Sequence, residues 1–237
     1  MTGGQREGRL GIGVIGAGKV GPVLALALAG AGHALTGISA ISAESRERAE
    51  TLLPAVPVLD VPEVVRRSEL VLFAIPGEDL PGLVHGLTET RAWQPGQIAL
   101  HTAPEHGYSV FSPAMAAGVI PIALHPALVF TGTSLDVGRL VGASVAVTAP
   151  TPVLPIGQAL AVEMGAEPVV VAETDRPAYA EAVGAAAEFA RAVVRQSADA
   201  LREIGVERPD RLLGGLVRAA VDEELRAAAG IAPDHDA

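Results

Sequence analysis

One short stretch constrains this chain more than any other: Gly16-Ala17-Gly18-Lys19-Val20-Gly21. It stands directly after the apolar run Leu10–Ile15 and opens an Ala- and Leu-rich segment, Lys19–Gly30, which leads to a second apolar run, Ala34–Ala40. A GxGxxG run arises by chance in any Gly- and Ala-rich chain. Its position between a strand and a helix, inside a strand-helix-strand unit of about 30 residues, is what gives it meaning. There Gly16 allows a tight turn, Gly18 lets the backbone approach a pyrophosphate, and Gly21 lets helix and strand pack closely. The free amides and the positive end of the helix dipole then face the phosphates. Residues Gly16, Ala17, Gly18, Lys19, Val20 and Gly21 therefore form the first part of an expected dinucleotide site. Lys19, the only lysine in the chain, faces either the phosphates or water.

The rest of the chain extends the pattern. Ala43–Leu53 reads as a helix with Ser42 as its N-cap, Val56–Leu59 as a short third strand, and Val61–Arg67 as a crossover helix. Leu70–Ile75 is an unbroken apolar run, as a central strand covered on both faces requires, and Pro76-Gly77 ends it. A helix over Leu80–Thr90, a strand over Gln97–Leu100, a helical segment near Tyr108–Ala117 and a strand over Val119–Leu124 follow. Ala143–Thr148, Pro155–Met164 and Pro168–Val171 read as strand, helix and strand. Beyond Asp175 the pattern is helix only, Ala178–Ile204 and Arg211–Ala229, broken at Arg208-Pro209-Asp210. The expected fold class is α/β, a Rossmann-type doubly wound parallel sheet followed by a small all-helical C-terminal domain. Its expected parts are residues 1–150 for dinucleotide binding, 151–175 as a strand-helix-strand extension or connection, and 176–237 as a helical domain. Residues 1–8 and 231–237 are expected to be disordered.

The choice of cofactor rests on the end of the second strand. An acid about 20 residues past the glycine turn would hold the ribose 2′-hydroxyl of NAD. Ser39, Ala40, Ile41 and Ser42 occupy that place, none of them acidic, and Glu44 falls in the first turn of a helix, where the dipole accounts for it. Arg46 and Arg48, with Ser39 and Ser42, can hold a 2′-phosphate by charge-assisted hydrogen bonds. NADP is expected rather than NAD.

In open parallel sheets ligands bind beyond the carboxyl ends of the strands, where His101 and His125 end their strands. A histidine there can act as general acid or base near neutral pH, or can instead shape a loop by bonding to backbone. Thr102, Tyr108, Thr131, Thr133 and Ser134 stand nearby as hydrogen-bond donors. His33 and His85 read as structural or solvated. No His or carboxylate spacing suggests a metal.

Composition narrows the function classes. A formal charge of −10 argues against broad nucleic-acid binding, which needs Lys and Arg to neutralise phosphates, and aromatics at 3% leave few stacking platforms. Cysteine is absent, which removes disulfides and thiol chemistry and suits a reducing cytoplasm. No apolar run approaches the roughly 20 residues of a membrane helix. Met1–Arg9 lacks the apolar core of an export signal. A cytoplasmic protein acting on a small molecule, without membrane or nucleic-acid partner, is expected.

Several segments together resemble a known family. Gly16–Gly21, Ser39–Arg46, Ala74-Ile75-Pro76, Leu100-His101-Thr102-Ala103, and Leu124-His125-Pro126 through Phe130-Thr131-Gly132 are similar, in order, to Rossmann-like proteins that carry the domain of unknown function 2520. The resemblance implies an NADP-dependent oxidoreductase fold related to pyrroline-5-carboxylate reductase, ketopantoate reductase and the 6-phosphogluconate dehydrogenase superfamily. It also implies a helical C-terminal domain that pairs into homodimers. By the same resemblance Ala74, Ile75, Pro76, His101 and Thr102 join the cofactor site. Departures from the pattern matter too: relatives carry Thr-Ser-Gly where this chain has Thr102-Ala103-Pro104, and a His and an Asn where it has Ala185 and Glu188. Relatives that use a lysine on that helix find no counterpart here, and most relatives run further at the C-terminus.

The expected activity is therefore reduction of a small ketone, imine or oxo acid. His101, His125 and Glu188 are its candidate acid-base groups. A degenerate NAD(P)-binding sensor or partner protein, or direct hydride exchange with a second redox cofactor such as a deazaflavin, is the alternative.

Overall fold

The computed structural model of the chain describes residues 9–230, so the expected disorder of the two ends and the reading of Met1–Arg9 lie largely outside it. In chain order the elements are β1 (Gly11–Ile15), α1 (Gly21–Gly30), β2 (Ala34–Ser39), α2 (Ala43–Leu52), α3 (Val61–Arg66), β3 (Leu70–Phe73), α4 (Leu80–Glu89) and β4 (Ile98–His101). Then come α5 (Ser112–Met115), β5 (Ile120–Pro126), α6 (Leu135–Leu140), β6 (Ser144–Thr148), α7 (Leu154–Glu163), β7 (Glu167–Val170), α8 (Arg176–Glu203) and α9 (Pro209–Ala228). Two compact units result, one ending at Glu181 and one beginning at Ala182.

Seven strands form one sheet in the order β2-β1-β3-β4-β5-β6-β7. β1 to β5 are mutually parallel. The sheet is not parallel throughout as the sequence pattern suggested: β6 runs antiparallel to β5, and β7 is parallel to β6. Antiparallel strands at the margin of a parallel sheet are tolerated because they do not need covering on both faces. The strand expected at Val56–Leu59 is also absent as such; only Val58 bridges β2, through Ile38. Pro57 has no N–H with which to continue a ladder. Likewise the segment expected as one helix near Tyr108–Ala117 is a 3₁₀ turn over Tyr108–Phe111 followed by α5.

Helices cover both faces. On one, α1, α2, α6 and α7 pack over Ile12, Val14, Leu72, Leu100, Ile122, Leu124 and Val147. On the other, α3, α4 and α5 cover Val71, Phe73 and Ala99, with Phe73, Trp93 and Phe111 in mutual ring contact. All four β3 residues are at most 1% exposed, so each large side chain contributes about 1.5–3 kcal/mol by leaving water. The capping expected of Ser42 is present: its side chain accepts the Ser45 N–H at 3.1 Å. The order of strand addition reverses between β1 and β3, with β2 on one side and β4 and β5 on the other, and ligands of open α/β sheets bind at such a switch point.

The second unit contains the rest of α8 together with α9. Both helices are amphipathic, and Phe189, Val193, Leu212, Leu216 and Leu225 stand more than half exposed. No described helix is long and apolar enough to cross a membrane.

Candidate functional site

The loops after β1 and β3 meet at the point of reversal, and the glycines of the first loop answer to different demands. Gly16 has a φ of +102°, and a Cβ there would overlap the Ala74 carbonyl. A Cβ on Gly21 would overlap the Gly16 carbonyl oxygen. Both are therefore demanded by the fold itself. Gly18 differs: among the described residues, none beyond its two chain neighbours lies within 4 Å of the place its Cβ would take. The open space beside Gly18 is what a pyrophosphate would fill. α1 adds to the cradle, since it starts with no side-chain cap and no acid in its first turn, leaving its amides and positive dipole end free for an anion.

Ser39, at the end of β2, accepts the Gly16 N–H on its hydroxyl at 3.2 Å and so ties the two strands' loops together. Ala40 is buried, Ile41 stands 92% exposed, and Ser42 is committed to capping α2. Arg46 is exposed, and its guanidinium makes no hydrogen bond to a described residue. Arg48 is more deeply engaged: one guanidinium nitrogen donates to the Ala17 carbonyl at 3.1 Å and another to Glu44 at 2.5 Å. Glu44 is thereby paired within its own helix, and residues 39–42 offer no carboxylate to a ribose.

A cleft of about 310 Å³ opens beside this turn, lined by Lys19, Val20, Ala74-Ile75-Pro76, Thr102-Ala103-Pro104, His125-Pro126, Leu128 and Phe130. Segments distant in sequence that were read as one site therefore come together. The cleft wall near His125 is apolar, and its only ionisable groups are His125 and Lys19. A further loop is fixed nearby. Asp136, fully buried, accepts the N–H groups of Thr131 and Gly132 at 2.7 and 2.8 Å and is paired with Arg139. Burial pushes its carboxyl up, but those hydrogen bonds outweigh burial and hold it below the usual range. Gly132, with a φ of +83°, packs against Lys19 and Arg48. Thr131, Thr133 and Ser134 thus belong to the border of the glycine turn rather than to the histidine cleft.

The two strand-end histidines differ sharply. His101 is fully buried and both ring nitrogens are engaged: Nε2 donates to the Gly107 carbonyl at 3.0 Å and Nδ1 accepts the Ala103 N–H at 3.2 Å. That arrangement suits only the neutral ring. Burial, opposed by the Gly107 bond and aided by the nearby Arg176, His106 and His125, lowers its pKa to about 3. His101 therefore pins the loop that carries Thr102 to Gly107. His106 secures the same loop by donating to the Gly77 carbonyl at 2.9 Å. Glu173 receives the Tyr108 and Ser109 N–H groups at 2.9 and 3.1 Å.

His125 lines the cleft. It lies within β5, one residue short of the strand's end, not after it. Its Nδ1 is 2.8 Å from the Tyr179 hydroxyl, and Nε2 makes no hydrogen bond to a described residue. Burial, then the charge of Arg176, lowers its pKa to about 4. Glu188 belongs to the second unit, exposed on α8. His33, bonded to Glu163 at 2.7 Å and to the Leu10 N–H, joins α7 to the start of β1.

Two residues of this neighbourhood carry no sequence signal. Arg176 is fully buried without an ion-pair partner: Nε donates to Thr148 Oγ1 at 2.7 Å, and Nη2 to the Ala123 and Ala146 carbonyls at 3.0 and 3.2 Å. Its Nη1 has no hydrogen-bond partner among the described residues. The guanidinium carbon lies 5.7 Å from the centre of the Tyr179 ring. An Arg before Pro at a helix start reads as solvated, and a lone Tyr on an Ala-rich helix reads as packing. Only long-range pairing reveals their place.

Known proteins with similar features can now be set beside this geometry. The family described as Rossmann-like domain matches residues 1–126, and the domain of unknown function DUF2520 matches residues 143–231. Among solved structures, a proposed NADP oxidoreductase from Bacteroides fragilis superposes with a TM-score of 0.74 at 19% identity, over 95% of this chain and 82% of its own. A 1-pyrroline-5-carboxylate reductase from Streptococcus pyogenes gives 0.64 at 18% identity, over 97% and 82%. A semialdehyde dehydrogenase NAD-binding protein from Cupriavidus necator, solved with calcium and NAD, gives 0.62 at 17%, over 90% and 82%. At these identities the likeness establishes the fold alone. No curated protein sequence matches.

Proposed function

This chain belongs to the Rossmann-like proteins that carry a DUF2520 domain, an NAD(P)-binding oxidoreductase fold, and from that premise we propose that it is an NADP-dependent reductase of a small ketone, imine or oxo acid. The observation that carries the reading is the join between two features. The space beside Gly18 is open, and the next two residues, Lys19 and Val20, line the cleft that also bears His125, whose Nε2 has no hydrogen-bond partner among the described residues. Residues 16–21 would hold the pyrophosphate of a dinucleotide, and Ala74-Ile75-Pro76 and Thr102, which line the same cleft as His125, would border its nicotinamide end. When bound, the nicotinamide supplies a hydride equivalent to the electrophilic carbon. His125 polarises the acceptor oxygen or nitrogen and protonates it. His101 acts from behind by fixing the loop of Thr102 and Ala103. NADP is favoured over NAD by the exposed Arg46 and by the absence of an acid over Ser39–Ser42.

Dinucleotide binding is assigned to residues 1–150, with 151–175 as the strand-helix-strand extension or connection and 176–237 as the helical dimerisation or substrate domain. The exposed apolar side chains of α8 and α9 support a homodimer, since a second copy would cover them. A sedimentation mass equal to one chain at micromolar concentration refutes that assembly. The test of the activity is NADPH oxidation across a panel of small ketones, imines and oxo acids. Turnover with at least one, abolished by His125→Gln, is expected; tight NADPH binding without any turnover overturns the reading.

That negative outcome would favour a second reading, an NAD(P)-binding sensor or partner protein without catalysis. The observation on its side is that His101 is wholly occupied by backbone. Direct hydride exchange with a second redox cofactor such as a deazaflavin also suits the apolar cleft, and mixing NADPH with a deazaflavin would reveal it spectrally.

A further inference from the structure

His125 does not stand alone behind the cleft. Side chains alternate across the sheet, so with Ile122, Leu124 and Val147 buried on one face, Ala123, His125, Ala146 and Thr148 turn to the other. On that face Arg176 clasps Ala123, two residues before His125, and Ala146, its partner across the ladder. One turn along α8, the Tyr179 hydroxyl meets His125 Nδ1 at 2.8 Å, the two rings 5.6 Å apart and nearly perpendicular. A buried guanidinium costs several kcal/mol to desolvate, more so without a carboxylate. Thr148, two carbonyls and the face of the Tyr179 ring are the compensation found here. Glu173, a carboxylate whose charge acts on Arg176, is committed to the Tyr108 and Ser109 amides.

We propose that Tyr179 and Arg176 are positioning residues for His125: the Tyr179 hydroxyl donates to Nδ1, fixing the tautomer with Nε2–H toward the cleft, and Arg176, bound to the carbonyls of Ala123 and Ala146, braces the paired strands that carry the ring and sets its positive charge behind it. The inference rests on the reductase reading only for its use in turnover. There, as the acceptor carbon is reduced, His125 gives its Nε2 proton to the acceptor atom and Nδ1 takes the phenol proton. The phenolate so formed faces the Arg176 charge; as Nε2 regains a proton from water, Nδ1 returns its proton to the phenolate and the Nε2–H tautomer is restored. Charge and protons balance, with NAD(P)H as reductant and a carbonyl or imine as acceptor.

The charged and titratable groups that act on His125 are few. Tyr179 and Arg176 approach from α8 and His101 from β4, while Lys19 shares the cleft. Burial raises the Tyr179 pKa and Arg176 opposes it, so the phenol keeps its proton between turnovers. No carboxylate faces His125 to favour its protonated form.

The test is imidazole ¹⁵N NMR of the full-length chain, the His125 signals assigned by their loss in His125→Gln. The expected result is an Nε2–H tautomer that stays neutral down to about pH 5. In Tyr179→Phe the preference for that tautomer is expected to fall at least threefold; in Arg176→Met the titration is expected to move up while staying below 6.5, because burial, the larger cause, persists. A wild-type ring carrying its proton on Nδ1, or titrating near 6.5, overturns the proposal, as does an unchanged tautomer ratio in folded Tyr179→Phe. Failure of Arg176→Met to fold leaves the wild-type and Tyr179→Phe spectra to decide. Where the carbonyl and imine panel yields a substrate, Tyr179→Phe should lower kcat about 100-fold with KM little changed. NADPH binding is unaffected by either result, so failure here is separable from failure of the cofactor reading.

Discussion

Replacing Gly16 and Gly18 separately by alanine should divide what the fold requires from what a ligand requires. Gly16 has a φ of +102°, where a side chain costs about 1–3 kcal/mol, and its Cβ would meet the Ala74 carbonyl, a backbone group that cannot rotate away. Overpacking of that kind adds about 1–3 kcal/mol, so Gly16→Ala is expected to lose about 3 kcal/mol or more. Against a typical domain stability of about 5–15 kcal/mol that is a large fraction. Gly18 has no positive φ and no neighbour within 4 Å, so Gly18→Ala should be neutral or gain up to about 1 kcal/mol from a less flexible unfolded chain. Its methyl would instead fill the pyrophosphate space and weaken NADPH binding at least tenfold, or about 1.4 kcal/mol. Trp93, the sole tryptophan and 7% exposed beside Phe73 and Phe111, reports urea unfolding by its emission. NADPH fluorescence reports binding. Should Gly18→Ala unfold as early as Gly16→Ala, or bind NADPH as the parent does, the division of roles is refuted.

Other consequences are measurable with the same assays. Asp136→Asn removes the charge that holds the Thr131-Gly132 loop and Arg139, and is expected to cost about 3 kcal/mol in urea unfolding. His101 binds its proton at about pH 3 when folded but near the ordinary 6.5 when unfolded, so stability falls as pH drops from 6.5 toward 3. His101→Gln should lessen the slope between pH 6 and 4 by about 1.4 kcal/mol per pH unit, read from unfolding midpoints at successive pH values. Arg46→Ala should weaken NADPH about tenfold and leave NADH unchanged; equal loss of both would place the 2′-phosphate elsewhere.

Local chemistry made the first half of the fold legible. The strand, glycine turn and helix of β1 and α1, the Ser42 cap and the buried run of β3 each rest on neighbours in sequence. Non-local pairing did not reveal itself in this way. Nothing in Ser144–Thr148 distinguishes an antiparallel strand from a parallel one, since its pairing with Ala123–Pro126 is settled across the sheet. Pro57 was the overlooked signal against a strand at Val56–Leu59. For the site, residue type and position beyond a strand end singled out both histidines. Only burial separates them, because the amide of Ala103 and the carbonyl of Gly107 occupy one ring while the other borders a cleft. Tyr179 and Arg176 stand more than 50 residues from His125 and Ala123 and were invisible until the sheet closed on α8.

Calorimetric titration of the full-length chain with NADPH and with NADH tests the central claim most directly. Saturable binding of one NADPH per chain, tighter than NADH and weakened at least tenfold in Gly18→Ala, is the predicted result. Absence of saturable binding by either dinucleotide at millimolar concentration, with the chain folded by its Trp93 emission, would contradict it.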